Sequence, residues 1–236
     1  MPFKVRKQAA NCHDCEHRTL RLFCNLSGDA LESFEALGKL IAYPSRATVF
    51  SEGQPVSNVF VVCSGQLKLS TTSREARTMI LRLVGPGDLL GLSAALSKHP
   101  HEVTAETLEP TQLKSIPLAD FLRFFEEHAE VGKNAAKAVA REYRSVYLDA
   151  RRLAVSGSAA GKLARLLLDW ADSAACGKSE LRFTMALTHE ELANMTAVSR
   201  ETVTRLLNQF ERDKLIERRG SSLVILEPQS LGEFVQ

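Results

Sequence analysis

Three patterns of apolar and polar positions succeed one another along the chain. From about residue 42 to 117, apolar residues come in short runs broken by glycine, proline and serine: "ATVF", "NVFVVCSG", "QLKLST", "TMILRLVG", "EVTAETLE" and "QLKSIP". Such runs between turn formers predict the antiparallel strands of a sandwich or barrel. Gly53, Gly65, Gly87 and Gly91 mark the turns. From about 118 to 155 the spacing becomes helical, and Ala136, Val139, Tyr143, Val146, Ala150 and Leu153 recur at intervals of 3, 4, 3, 4 and 3. This heptad seam fits either a dimer contact or docking of the helix on its own β-domain. "SGSAAGK", residues 156–162, interrupts the pattern with small residues and reads as a hinge.

Beyond the hinge the sequence predicts a helix through "LARLLLDWA", a short strand "LRFTM" and two helices separated by a very short turn. Thr188 and Glu191 have the spacing of a capping box, in which each side chain satisfies the other's free backbone amide. A three-residue connection, Thr196 to Val198, leads into "SRETVTRLLNQF", residues 199–210. On a helix of period 3.6, Val203, Leu206, Leu207 and Phe210 fall on one side, and Arg200, Glu201, Thr204, Arg205 and Asn208 on the other. Ser199 is placed to cap this helix, and Glu201 lies in its first turn, where the dipole favours a negative charge. "LIERRGSSLVIL" alternates like a hairpin with Gly220-Ser221 at its tip. Helix, short turn, helix and hairpin together predict a winged helix-turn-helix, and the chain as a whole is α+β.

Composition narrows the picture. With 44% hydrophobic and 25% charged residues the chain is of ordinary globular composition, and a net charge of +2 gives no bulk argument for nucleic acid. The sequence has neither a long apolar run nor an N-terminal export signal, so we expect a cytoplasmic protein without membrane contact. Five cysteines, an odd number, argue against a disulfide framework and for free thiols, metal ligation or redox sensing. Cys12, Cys15 and Cys24 fall within residues 1–28 at C-x2-C-x8-C spacing.

The stretch "LTHEELANMTAVSRETVTRLLNQFERDKLIERRGSSLVIL" resembles the DNA-binding domain of the CRP/FNR transcription regulators, with "SRETVTR" its most specific part. "YPSRATVFSEGQPVSNVFVVCSGQLKLS" and "GPGDLLGLSAALS" resemble the family's β-roll. The resemblance implies a cysteine-containing segment over 1–28, a cyclic-nucleotide-binding-like β-roll (a double-stranded β-helix or jelly roll) over 29–128, a dimerisation helix over 129–155 and a winged helix-turn-helix over 156–236. It further implies a homodimer on palindromic double-stranded DNA, RNA polymerase as a partner, and no enzymatic activity.

Elementary chemistry agrees with that carry-over. A glutamate at 201 can accept from a cytosine amino group, and an arginine at 205, one turn on, can donate twice to guanine O6 and N7. Arg200 can reach a further guanine or a phosphate. TGTGA-like half-sites are implied, and TTGAT-like ones by Thr204, which stands where FNR-type members carry a serine that touches thymine. Residues 188–228 hold six Lys/Arg against seven Asp/Glu, so phosphate contacts must come from few positions: Thr188, Arg218, Arg219 and helix N-termini. Ala197 departs from the glycine usual in the family's turn.

The resemblance places an effector pocket at Gly91, Leu92, Ser93, Glu102, Val103 and Thr104. Leu92 stands where the cyclic-AMP-binding members have a glutamate, and Glu102 near their arginine; a carboxylate there repels a cyclic phosphate, so cyclic AMP is not the expected effector. The N-terminal cysteines instead imply a redox, oxygen or metal signal. Soft thiolates two residues apart suit a [4Fe–4S] cluster or zinc. FNR-type members take a fourth cysteine from the segment corresponding to 109–114, which has none here. Cys63 can replace it if the N-terminus folds back, and His17 would give a zinc-like set; reduced thiols are the remaining alternative. Cys176 is incidental in this reading. The other classes weighed, a thiol enzyme and a protein-binding module, lack a βαβ frame for the first and a reason for the phasing of Glu201 and Arg205 for the second.

Overall fold

The computed structural model describes residues 12–15, 18, 23–73, 78–154, 157–175, 182–184, 187–219 and 222–235. The chain divides into two compact units, Met1–Tyr147 and Leu148–Gln236.

In the first unit a helix α1 (Gly28–Ala36) precedes eight strands: β1 (Lys39–Tyr43), β2 (Thr48–Phe50), β3 (Asn58–Ser64), β4 (Leu67–Thr72), β5 (Thr78–Val84), β6 (Leu89–Leu90), β7 (Thr104–Thr107) and β8 (Thr111–Pro117). They form two four-stranded sheets, ordered β1-β8-β3-β6 and β2-β7-β4-β5, with antiparallel pairings. This is the two-sheet roll that the alternating runs predicted. Phe50, Phe60, Val62, Leu67, Leu69, Val84, Leu90, Ala105 and Leu113 form one buried cluster. The turn at Gly65 requires glycine twice over: its φ is +87°, and a Cβ there would collide with the Thr111 side chain of β8.

Two elements of the roll lie outside the predicted runs. β1, "KLIAY", is an edge strand paired to β8, exposed along almost its whole length, so no alternation of buried positions announces it. β6 is only two residues long. Three helices line the roll: α1, α2 (Leu92–Ser97) and α3 (Leu118–Glu127). Ala30, Leu31 and Phe34 of α1 are buried in a second cluster with Phe23, Leu26, Val59, Val61, Phe121 and Phe124.

His128 then takes an extended backbone (φ −123°, ψ 102°), which separates α3 from α4 (Ala129–Ala154). Val131 and Ala135, one turn apart, are buried and fasten α4 to its own roll. The seam residues face elsewhere: Ala136 is exposed, and Val139 and Tyr143 are 38% and 72% exposed. The side chains of Val146, Ala150 and Leu153 lie outside the described residues.

The second unit contains α5 (Ala159–Ala175), β9 (Arg182–Thr184), α6 (His189–Thr196), α7 (Arg200–Arg212), β10 (Ile216–Arg219), β11 (Ser222–Ile225) and α8 (Pro228–Glu233). The hinge read over 156–162 is shorter than expected, because α5 already begins at Ala159. The Ser158 hydroxyl accepts from the Gly161 amide (3.0 Å), and Gly161 has no Cβ to block the backbone of Phe234, which lies against it. A small residue here lets the start of α5 pack closely against the end of α8. The wing is a three-stranded sheet, β10-β11-β9, and the hairpin tip Gly220-Ser221 lies outside the described residues.

Candidate functional site

The helix-turn-helix is built as its residues dictate. Thr188 Oγ1 accepts from the Glu191 amide (3.2 Å) and Glu191 Oε2 accepts from the Thr188 amide (2.8 Å), which completes the capping box. The connection runs Ala197–Ser199, since Thr196 is still helical. Ala197 carries the turn in the left-handed region (φ 53°, ψ 43°). Ser199 caps α7 by accepting from the Thr202 amide (3.2 Å). Val203, Leu206, Leu207 and Phe210 are at most 4% exposed, and each such side chain contributes about 1.5–3 kcal/mol of burial. Phe210 also meets Phe234 edge-on at 5.2 Å.

The opposite face of α7 remains in solvent. Arg200, Glu201, Arg205 and Asn208 are exposed and Thr204 half-exposed. Hydrogen bonds at the helix start, from its own backbone and from Ser199, hold the Glu201 carboxyl below the ordinary carboxylate range. It is therefore an acceptor only, as a cytosine amino group requires.

Several of the expected contact residues have partners within the unit. Arg218 of the wing donates through Nε and Nη2 to Glu211 (3.1 and 2.6 Å) and through Nη2 to Asn208 Oδ1 (2.9 Å). It fastens the wing to α7, and so holds both Asn208 and its own guanidinium. Arg219 pairs with Glu217 at 2.6 Å and stays exposed. Sequence reasoning passed over His189, whose Nδ1 lies 2.8 Å from Thr204 Oγ1; Thr204 also donates to the Arg200 carbonyl (3.0 Å). Its position directly after the cap Thr188 was the available signal, because a first-turn side chain of α6 faces the reading helix.

In the roll, Gly91, Leu92, Ser93, Glu102 and Val103 line one pocket together with Phe50, Arg82, His101 and Glu142. Thr104 is not in that lining; its hydroxyl accepts from the Glu52 amide (3.0 Å). Leu92 is buried, Ser93 donates to Glu102 (3.3 Å), and Arg82 lies 3.5 Å from Asp88. The His101 ring stacks on Phe50 at 3.8 Å and 12°, so aromatic surface fills part of the pocket.

The N-terminal segment folds back onto the roll. Cys12, Cys15, Cys24 and Cys63 line a common cavity with Phe34, Val61, Val62, Gly87 and Lys114. Glu35 of α1 holds the segment there, accepting from the Cys12 amide (3.2 Å) and facing His13 at 3.9 Å. Burial pushes the Cys63 thiol up to about 11, and burial also raises that of Cys12, against the opposing pull of Lys114. A free Cys63 is thus a neutral thiol at neutral pH. Among the described residues no three His, Cys, Asp or Glu side chains are grouped as a single metal ion would need. His17 and Cys176 lie outside the described residues.

Residues 40–128 match the family of cyclic nucleotide-binding domains, and residues 161–234 match the Crp-like helix-turn-helix domain. The transcriptional activator protein Anr of Pseudomonas protegens is 27% identical over 236 residues, covering 98% of this chain and 95% of its own. A CRP-like cAMP-activated global transcriptional regulator of Mycobacterium tuberculosis is 27% identical over 194 residues, covering 81% and 85%. The solved structure of FixK2 from Bradyrhizobium japonicum superposes with a TM-score of 0.76 at 19% identity, covering 85% and 98%. A roll followed by a helix-turn-helix of this kind defines a transcription regulator rather than an enzyme, and the chain belongs to the CRP/FNR family. As in that family, its helix-turn-helix is a DNA-binding domain. Among the described residues no helix is long and apolar enough to cross a membrane.

Proposed function

We propose that the chain is a cytoplasmic homodimeric regulator that reads a palindrome of TGTGA- or TTGAT-like half-sites, contacts RNA polymerase, and answers to a redox, oxygen or metal signal received at its N-terminal cysteines. The observation that carries the readout is α7 itself: four buried apolar residues on one face and Arg200, Glu201 and Arg205 exposed on the other. Arg205 reads a guanine through its two donors and Glu201 a cytosine on the complementary strand. Dimerisation through the exposed seam of α4 supplies the second recognition helix, one helical turn of DNA away. For the signal, the support is the gathering of the N-terminal cysteines on the roll's surface beside Cys63. Cyclic AMP is disfavoured by Leu92, by Glu102 and by the His101–Phe50 stack in the roll pocket.

A panel of operators with single base changes tests the readout. Arg205→Ala should lose about 1–3 kcal/mol at the guanine of the TGA core and flatten the preference there, and Glu201→Ala should do the same at the cytosine. Equal loss on every operator would make Arg205 a positioning contact and refute the base-reading role.

A further inference from the structure

We infer that Cys63 completes a four-thiolate site with Cys12, Cys15 and Cys24, and that Lys114 is the fixed cation that balances the charge of an iron–sulfur cluster held there. The inference rests on the reading of the N-terminal cysteines as the signal site, and it adds the fourth ligand and the neighbouring charge.

Three cysteines from one segment leave one iron of a four-iron cluster without a thiolate, and the segment 109–114 contributes Lys114 and no thiol. Cys63 stands at the irregular point of β3, where the pairing with β8 shifts between Val62 and Ser64. Its sulfur opens into the cavity that the three N-terminal cysteines line, and the lining between them is Phe34, Val61, Val62 and Gly87. The donors are all soft, and most of the remaining wall is apolar. Four thiols lining one cavity are the ligand number and type that an iron–sulfur cluster takes.

Lys114 is the second observation. Its side chain sits in the middle of β8, only 7% exposed. The ammonium donates to the Glu35 backbone carbonyl (2.8 Å) and lies 5.2 Å over the Phe34 ring. Both partners are neutral, and the Glu35 carboxylate is engaged with the Cys12 amide and faces His13. A buried ammonium is costly unless an anion lies within reach, and Cys12 and Cys63 are near enough to feel its charge. Four thiolates around a cluster core carry net negative charge, and nearby charge is one of the features that set a cluster's potential.

The full chain, purified and kept without oxygen, decides the matter through iron and acid-labile sulfide per chain, the visible absorption, and a dye-mediated redox titration. Wild type and Cys176→Ser should hold iron and sulfide, and Cys63→Ser should lose most of both. Lys114→Met should either lose the cluster or titrate at a more negative potential, and Lys114→Arg should restore the wild-type value. A thermal melt of each variant separates lost ligation from lost folding. Wild-type protein with neither metal nor sulfide would overturn ligation altogether and leave thiol redox chemistry as the signal. Should wild type load and Cys63→Ser load equally, the reading stands and the fourth ligand is wrong. Zinc in place of iron overturns the cluster, and an unchanged potential and loading in Lys114→Met overturns the role of Lys114.

Discussion

Ala197 takes a left-handed backbone at the point where α6 must turn into α7, and a non-glycine there costs about 1–2 kcal/mol. Ala197→Gly removes that cost and adds back part of it as extra freedom of the unfolded chain, about 0.4–1 kcal/mol. The net expectation is a gain of about 1 kcal/mol, read as a higher melting temperature of the DNA-binding unit. The only tryptophan, Trp170 of α5, reports that unit by fluorescence. His189 sets a different dependence. Its burial, then Arg218 and Arg200, hold its pKa below the ordinary value, so the unfolded chain takes up the proton first. Stability from the neutral ring is complete above about pH 6.5 and falls as pH drops below it. His189 is the only histidine after residue 128, so His189→Gln should flatten this slope; an unchanged slope in Trp170-monitored melts would contradict the assignment. Ala197 could be picked out from sequence because the turn demands one conformation. His189 was legible only in part: its place directly after the cap Thr188 could be read, but its contact with Thr204 joins positions fifteen residues apart.

At the scale of elements, periodicity foretold what a buried face decides. The α7 stripe and the strands of the roll are set by burial, and the structure has them where the pattern put them. β1 and β6 escaped because an exposed edge and a two-residue strand bury too little to leave a pattern. The break between α3 and α4 escaped as well, because one extended residue leaves the apolar spacing intact. The cavity of four cysteines was only conditionally legible: spacing grouped three thiols, and the presence of Cys63 beside them depended on a fold-back that Glu35 and Lys114 anchor from distant elements. For α4 the two readings of its seam separate along the helix. Its first turns are spent on the roll through Val131 and Ala135, while Val139, Tyr143 and Tyr147 stay exposed, the two tyrosine rings 6.5 Å apart. Exposed aromatic surface on a regular stripe is what a partner helix covers. Tyr143→Glu should shift sedimentation toward monomer and weaken binding to a full palindrome together; a monomer that still bound the palindrome with unchanged affinity would separate the seam from DNA recognition.

Across the whole molecule the charge is nearly balanced, at +2 over 236 residues, and residues 188–228 carry six basic against seven acidic side chains. Arg218 is further withdrawn from DNA by Glu211 and Asn208. Affinity that depended on counterion release would need many free cations, each adding about −0.9 to the slope of log affinity against log salt concentration. On the proposed readout Arg200 and Arg205 go to bases, and the cations left on α7 and the wing are few, Arg219 among them exposed but paired with Glu217, so few phosphates are neutralised. Neutral donors such as the Thr188 hydroxyl and helix-start amides position the backbone without releasing counterions. The proposed dimer should therefore show a shallow slope, about −4 or weaker, and poor binding to unrelated DNA. Arg219→Ala should make the slope shallower by about two per dimer while weakening all operators alike. Arg218→Ala should lower affinity through a loosened wing and leave the slope where it was. Titrations at several salt concentrations distinguish the two arginines. A wild-type slope near −10 would mean that phosphates are neutralised by side chains well beyond this helix and wing.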